Sequence, residues 1–168
     1  MRKILTVLVL LVCLTTAIFA VGCKTTPVEA KEMTFASFAK YEYTGSFSGN
    51  GADWLDAIAA ADENVTFAHS GDWVTSVSYN DVTIQNEDGA YLGIYINVDD
   101  KDYSNYVADP VAYDGETFYA SALMLSNLPI RAGMKVLFVL TSYQGEDWEH
   151  PVVSNKKALL FSYVGESK

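Results

Sequence analysis

The chain has little cysteine, histidine or positive charge. Its two cysteines, Cys13 and Cys23, both fall within the first 23 residues. From Lys24 onward there is no thiol for a disulfide, a nucleophile or a thiolate-bound metal. The folded part must therefore be stable through its core alone. The two histidines, His69 and His150, lack the spacing of a zinc site. No G-x-S-x-G, H-E-x-x-H or phosphate-loop motif occurs, so we do not expect an enzyme. Acidic residues outnumber basic ones 21 to 11, for a net charge of −10. A surface so acidic disfavours nucleic acid and anionic headgroups as partners. It is compatible with cations, basic peptides and sugars, and it also serves solubility.

What the chain does have is an export-type start. Arg2 and Lys3 precede Ile4–Val21, a run free of charge and rich in Leu, Val, Ile and Ala. The run ends in Ala20-Val21-Gly22-Cys23. This resembles the lipobox of bacterial lipoproteins, with cleavage before Cys23. The resemblance covers the signal alone. It implies a diacylglycerol on the Cys23 sulfur and usually a third acyl chain on its amine. Two or three chains hold far better than one, since each buried methylene contributes about 0.8 kcal/mol. The alternative is an uncleaved transmembrane helix. Eighteen uncharged residues would span roughly 27 Å, nearly a bilayer core. Thr6, Thr15 and Thr16 weaken that alternative, and a small-residue cleavage site directly before a cysteine weakens it more. Either way the rest of the chain is exported and tied to a membrane. In enteric bacteria an Asp after the cysteine tends to retain a lipoprotein at the inner membrane. Lys24 stands there instead, which favours an outer membrane or cell surface.

Three segments follow from this reading. Residues 1–22 are the signal. Residues 23–33 are the lipidated cysteine and a flexible polar tether, KTTPVEAKEM after Cys23. Residues 34–168 form one domain, with no internal repeat. Period-two alternation predicts strands over Ala39–Phe47, Val65–His69, Trp73–Tyr79, Val82–Gln85 and Ala90–Val98. Glu116–Leu125, Lys135–Tyr143 and Ala158–Val164 complete eight. Glu116–Leu125 and Lys135–Tyr143 are apolar on both faces over part of their length, so they should be central. One short helix is expected at Asp53–Ala61, where Leu55, Ile58 and Ala61 share a face and Asp53 can cap. The fold class is mainly β: an antiparallel β-sandwich, jelly-roll or immunoglobulin-like, with a closed β-barrel as the alternative.

Two connections are too long for simple turns, Asp99–Gly115 and Gln144–Lys157. Loops of that length in a compact domain are usually functional or disordered. If the strands alternate up and down, both loops and the helix share the end opposite the tether. That end would gather Trp148, Tyr103, Tyr106, Tyr113 and Trp54 among carboxylates. Aromatic rings stack on the apolar face of a sugar, and carboxylates accept its hydroxyl protons. The same set suits a basic or aromatic peptide. The competing expectation is that each ring plugs its own loop onto the core. Trp73, beside an apolar strand, is expected in the core. Asp99, Asp100 and Asp102 offer the alternate oxygens of a calcium loop. An EF-hand is excluded, because Asn105 and Val111 stand where Gly and an acidic residue are required. No cofactor is expected, with calcium the one ion the pattern leaves open. Asn64-Val65-Thr66 fits a glycosylation sequon that an export context of bacterial type makes a chance match.

The functional expectation is a membrane-anchored lipoprotein carrying a β-sandwich binding module for carbohydrate or a protein partner. The alternative is a structural or assembly lipoprotein of the cell envelope with no small ligand. Cys23→Ala should abolish palmitate labelling and leave a signal-bearing precursor, as read by metabolic labelling and precursor size. A labelled, processed variant would overturn the lipobox reading.

Overall fold

The computed structural model describes residues 28–145 and 147–165, and of Trp148 and Glu149 it describes the backbone only. Cys23 and the signal lie outside the described residues. Among the described residues the chain is mainly β with one α-helix. Its largest sheet is curled into a half-barrel. In spatial order it contains β1 (Lys31–Glu32), β9 (Val111–Tyr113), β10 (Glu116–Ser121), β7 (Ala90–Ile96), β12 (Lys135–Gln144), β13 (Asp147–Tyr163) and β2 (Ser37–Tyr43). β8 (Ser104–Asn105) adds to β10. A three-stranded antiparallel meander is built from β4 (Val65–Ser70), β5 (Trp73–Tyr79) and β6 (Val82–Gln85). β3 (Gly49–Asn50) and β11 (Pro129–Ile130) form a small separate pair.

The expected sandwich of antiparallel sheets is not borne out in that form, because the main sheet is mixed. β1 runs parallel to β9, and β2 runs parallel to β13. Parallel partners need a crossover instead of a hairpin. The chain supplies one by sending β2 to one edge first and returning to it with its last strand. Simple up-and-down alternation therefore fails. The sheet is open at β1 and β2, so it is not a closed barrel either.

Two cores lie on opposite faces of this sheet. Val136, Phe138 and Leu140 of β12 face one core, with Leu159 and Phe161 of β13 and Ile96 of β7. The meander covers it through Val65, Val74, Val77, Val82 and Ile84, and the helix through Trp54, Leu55 and Ile58. Leu137 and Val139 of β12 face the second core, with Tyr95, Phe118, Ala158 and Leu160. Met33, Ala108 and Val111 close that side. The fold thus starts earlier than residue 34. Lys31 pairs with Val111, and Met33 is buried at 4% exposure. The last residues of the expected tether belong to the sheet, because a core open at β9 needs a cover.

The helix, α1, spans Gly51–Ala61, and its cap is Asn50 rather than Asp53. Asn50 Oδ1 accepts from the N–H groups of Ala52 at 2.9 Å and Asp53 at 3.0 Å. Asp53 Oδ2 accepts in return from the Asn50 N–H at 3.5 Å. This reciprocal box satisfies orphan donors of the first turn. Gly51 is required by close approach: a Cβ there would lie 2.4 Å from Leu125 Cδ1 and 2.8 Å from the Leu125 carbonyl. The helix start consequently sits directly on the 3₁₀ turn Leu125–Asn127.

A half-buried polar knot ties β7, β10 and β12 together at one end. Lys135 Nζ donates to Glu116 Oε2 at 2.5 Å, and Asn97 Nδ2 donates to Glu116 Oε1 at 2.9 Å. The Lys135 N–H donates to Asn97 Oδ1 at 2.7 Å. Burial pushes the Glu116 carboxyl up, but the hydrogen bonds from Lys135 and Asn97 and the charges of Lys135 and Lys40 outweigh it. The net effect is a carboxyl held below its ordinary value. Stability from such a group is present above the unfolded pKa and is lost as pH falls through the folded one. Glu116→Gln should therefore destabilise the protein at pH 7, and the gap to wild type should close below about pH 4. Urea unfolding at both pH values measures it; a gap independent of pH would assign the effect to packing alone.

Candidate functional site

Of the residues singled out as ligand contacts, the four whose side chains are described do not converge. Trp54 is fully buried, 0% exposed, between α1 and β13. Its ring lies edge-on to Phe161 at 6.5 Å and tilted to Tyr163 at the same distance. It belongs to the core because Trp54, Leu55 and Ile58 share the inward face of the helix. Tyr113 packs on Phe38 at 4.6 Å and on Phe35 at 5.3 Å, fastening the N-terminal segment. Tyr103 lies under the Arg131 guanidinium, 4.8 Å from the ring centroid. Tyr106 is exposed and donates its hydroxyl to Asp99 Oδ1 at 2.6 Å. That hydrogen bond, with smaller contributions from burial and from the Asp99 charge, pushes its pKa up to about 12. Trp148 lies in β13, not in a loop: Gln144 and Asp147 are paired across a hairpin. Its side chain lies outside the described residues.

The hairpin also corrects the placement of the tether. Lys31, Asp109, Val111, Gln144, Asp147 and His150 line one small cavity of about 220 Å³. The Asp99–Gly115 stretch and the β12–β13 tip therefore do come together, but the entering chain joins them there. They are not at the opposite end. For calcium, Asp100 Oδ1 accepts from the Asp102 N–H at 2.9 Å, and Asp99 is engaged by Tyr106. Among the described residues, no group of three or more acidic, histidine or cysteine side chains is placed to hold a metal. No helix among them is long and apolar enough to cross a membrane.

A larger concavity lies elsewhere, along the first half of β7. The ladder between β7 and β10 is short, pairing Tyr119 with Ile96 and Ala120 with Tyr95. β10 then leaves the sheet toward Met124. The opening beside residues 91–94 is a cleft of about 650 Å³. Tyr91, Gly93, Tyr95 and Tyr143 line it from the sheet, and Asn105, Ala108 and Ser121–Leu125 from the far side. Asp72 and Trp73 of the β4–β5 turn form one rim. Trp73 is 64% exposed and Tyr91 is 46% exposed, and the Tyr91 and Tyr143 rings lie 6.2 Å apart at 49°. This mixture of aromatic wall and a few polar groups is the usual character of a ligand site.

The polar groups are held by local hydrogen bonds. Asn86 Oδ1 accepts from the Leu92 N–H at 2.7 Å, and Asn105 Oδ1 accepts from the Val107 N–H at 3.0 Å. Each amide thus spends its oxygen on the backbone and keeps its NH₂ as the group to offer. Thr141 Oγ1 donates to the Tyr91 carbonyl at 3.1 Å. Gly93 leaves room for this threonine, since a Cβ there would lie 2.5 Å from Thr141 Cγ2.

Trp73 was expected in the core, and a β-bulge explains the difference. By plain alternation Trp73 shares a face with Val77, which is buried. The pairing shifts register, with His69 opposite Val74 but Ala68 opposite Ser76. The extra residue reverses the parity, so Val74 points in and Trp73 points out. Tyr91 and Tyr143 carried a weak signal. Tyr91 shares a strand face with Gly93, which removes bulk between Tyr91 and Tyr95. Nothing in the pattern showed that β10 leaves beside it.

No protein-family model, curated protein or solved structure matches the chain significantly. The two tryptophans should separate cleanly in denaturation. Trp54→Ala should cost about 3–5 kcal/mol of stability, as a fully buried ring does. Trp73→Ala should stay within about 0.5 kcal/mol of wild type, as exposed positions do. Equal losses would mean that Trp73 is packed.

Proposed function

We propose that this protein is an exported, lipid-anchored β domain that binds carbohydrate in the cleft bounded by Trp73, Tyr91 and Tyr143. The observation that carries the reading is the exposure of Trp73 and Tyr91 on the walls of that one cleft. A large apolar ring facing water is unfavourable unless something stacks on it, and a pyranose offers a flat C–H face of matching size. The side-chain amides of Asn86 and Asn105 at the cleft suit its hydroxyls. A structural or assembly role without a small ligand would instead concentrate exposed apolar residues on a flat patch or sheet edge.

The anchor would be Cys23, on the lipobox resemblance, with the chain joining the fold at Lys31 beside Val111. An outer membrane or cell surface remains the favoured location. The reading needs no cofactor and no catalytic residue.

Binding of cello- and chito-oligosaccharides, followed by tryptophan fluorescence and calorimetry, tests it. Trp73→Ala and Tyr91→Ala should each lose about 2 kcal/mol or more of binding if they anchor the ligand. Saturable binding that is unchanged in both variants would remove the cleft as the site. Binding to a peptide library with no response to any glycan would replace carbohydrate by a protein partner.

A further inference from the structure

We infer that the cleft discriminates by charge, favouring sugars that carry a protonated amine over neutral ones and rejecting anionic sugars, with Asp72 as the specificity-determining residue. This rests on the carbohydrate reading above. Among the described residues Asp72 is the one acidic side chain lining the cleft, and no Lys, Arg or His lines it. Among the described residues Asp72 makes no ion pair, since the ion pairs join Lys40 to Glu42, Lys135 to Glu116 and His150 to Asp147. Its carboxylate is exposed at the rim. A ligand cation therefore need not displace an existing partner or be stripped of all its water.

Position strengthens the case. Asp72 immediately precedes Trp73, and both line the same cleft. A sugar stacked on the indole brings its equatorial substituents within reach of the neighbouring carboxylate. The face of an indole itself attracts a cation. Both effects act on the same ammonium group. A uronate or sulfate in that place would face the carboxylate with no cation to offset it. The net charge of −10 adds a long-range field of the same sign.

Four oligosaccharides of equal length decide it, titrated into the full-length protein in detergent: β-1,4-glucosamine, β-1,4-N-acetylglucosamine, β-1,4-glucose and oligogalacturonate. At low salt the glucosamine oligomer should bind roughly three- to tenfold more tightly than the neutral ones. The preference should shrink at 0.5 M salt, where exposed charges are screened. It should also fade as pH rises past the amine's own titration. Asp72→Asn should lose most of the preference while keeping the wild-type urea-unfolding midpoint, which shows that the variant is folded. Equal binding of amine and neutral oligomers by wild type would overturn the inference while leaving the carbohydrate reading in place. So would tight binding of oligogalacturonate. A preference retained in Asp72→Asn would assign it to the general acidity of the protein and remove Asp72 as its source. No binding of any oligosaccharide would overturn both readings.

Discussion

Val136, Phe138 and Leu140 project from one face of β12 and Leu137 and Val139 from the other, and all five are buried. A strand apolar on both faces must be covered on both. That requirement dictates the remaining architecture. One face is covered by elements that are sequential and local, the helix and the three-stranded meander. The other is covered by the entering segment and the chain around β9, with Met33, Ala108 and Val111 as the closing side chains and Phe35, Phe38 and Tyr113 packed against them. The mixed topology is the geometric cost of this solution, because curling brings distant parts of the chain together at the edges.

The cleft is a by-product of the same curl. β10 supports β9 and β8 on one side and β7 on the other. It cannot follow β7 along its whole length, and it departs after Ser121. The half of β7 left beside the gap carries Tyr91 and Gly93. Its companion rim comes from the meander, which belongs to the other core. The site therefore lies where two independently packed layers meet at a sheet irregularity, and its polar groups are fixed by short-range hydrogen bonds instead of by a mobile loop.

What the sequence revealed follows this division. Strands Trp73–Tyr79 and Val82–Gln85 have the bounds their alternation predicts, and Val65–Ser70 differs by one residue, because each is half-buried and bounded by turn residues. The helix was legible from the spacing of Leu55 and Ile58, although Asn50 was passed over as its cap. The Gln144–Lys157 stretch reads as a loop in sequence but belongs to the β12–β13 hairpin. Its acidic and polar residues hide a strand that is mostly exposed along its first half and buried from Ala158. The parallel edges were not legible at all, since no local pattern records which strand a distant one joins. The site was missed for a related reason. A single bulge at Thr75 turns Trp73 outward, and period-two reasoning has no means of locating an extra residue.

The parallel pairing of β2 with β13 has a kinetic consequence. Ser37 meets Lys157 and Tyr43 meets Tyr163, so one of the first strands to exist waits for the last. Closing a loop of that size is slow compared with forming the meander, whose partners lie a few residues apart. During synthesis the meander and helix can form early, while β2 stays an unsatisfied edge until β13 is made. Loss of the last few residues of β13 would strand that edge and leave a template for pairing with other chains.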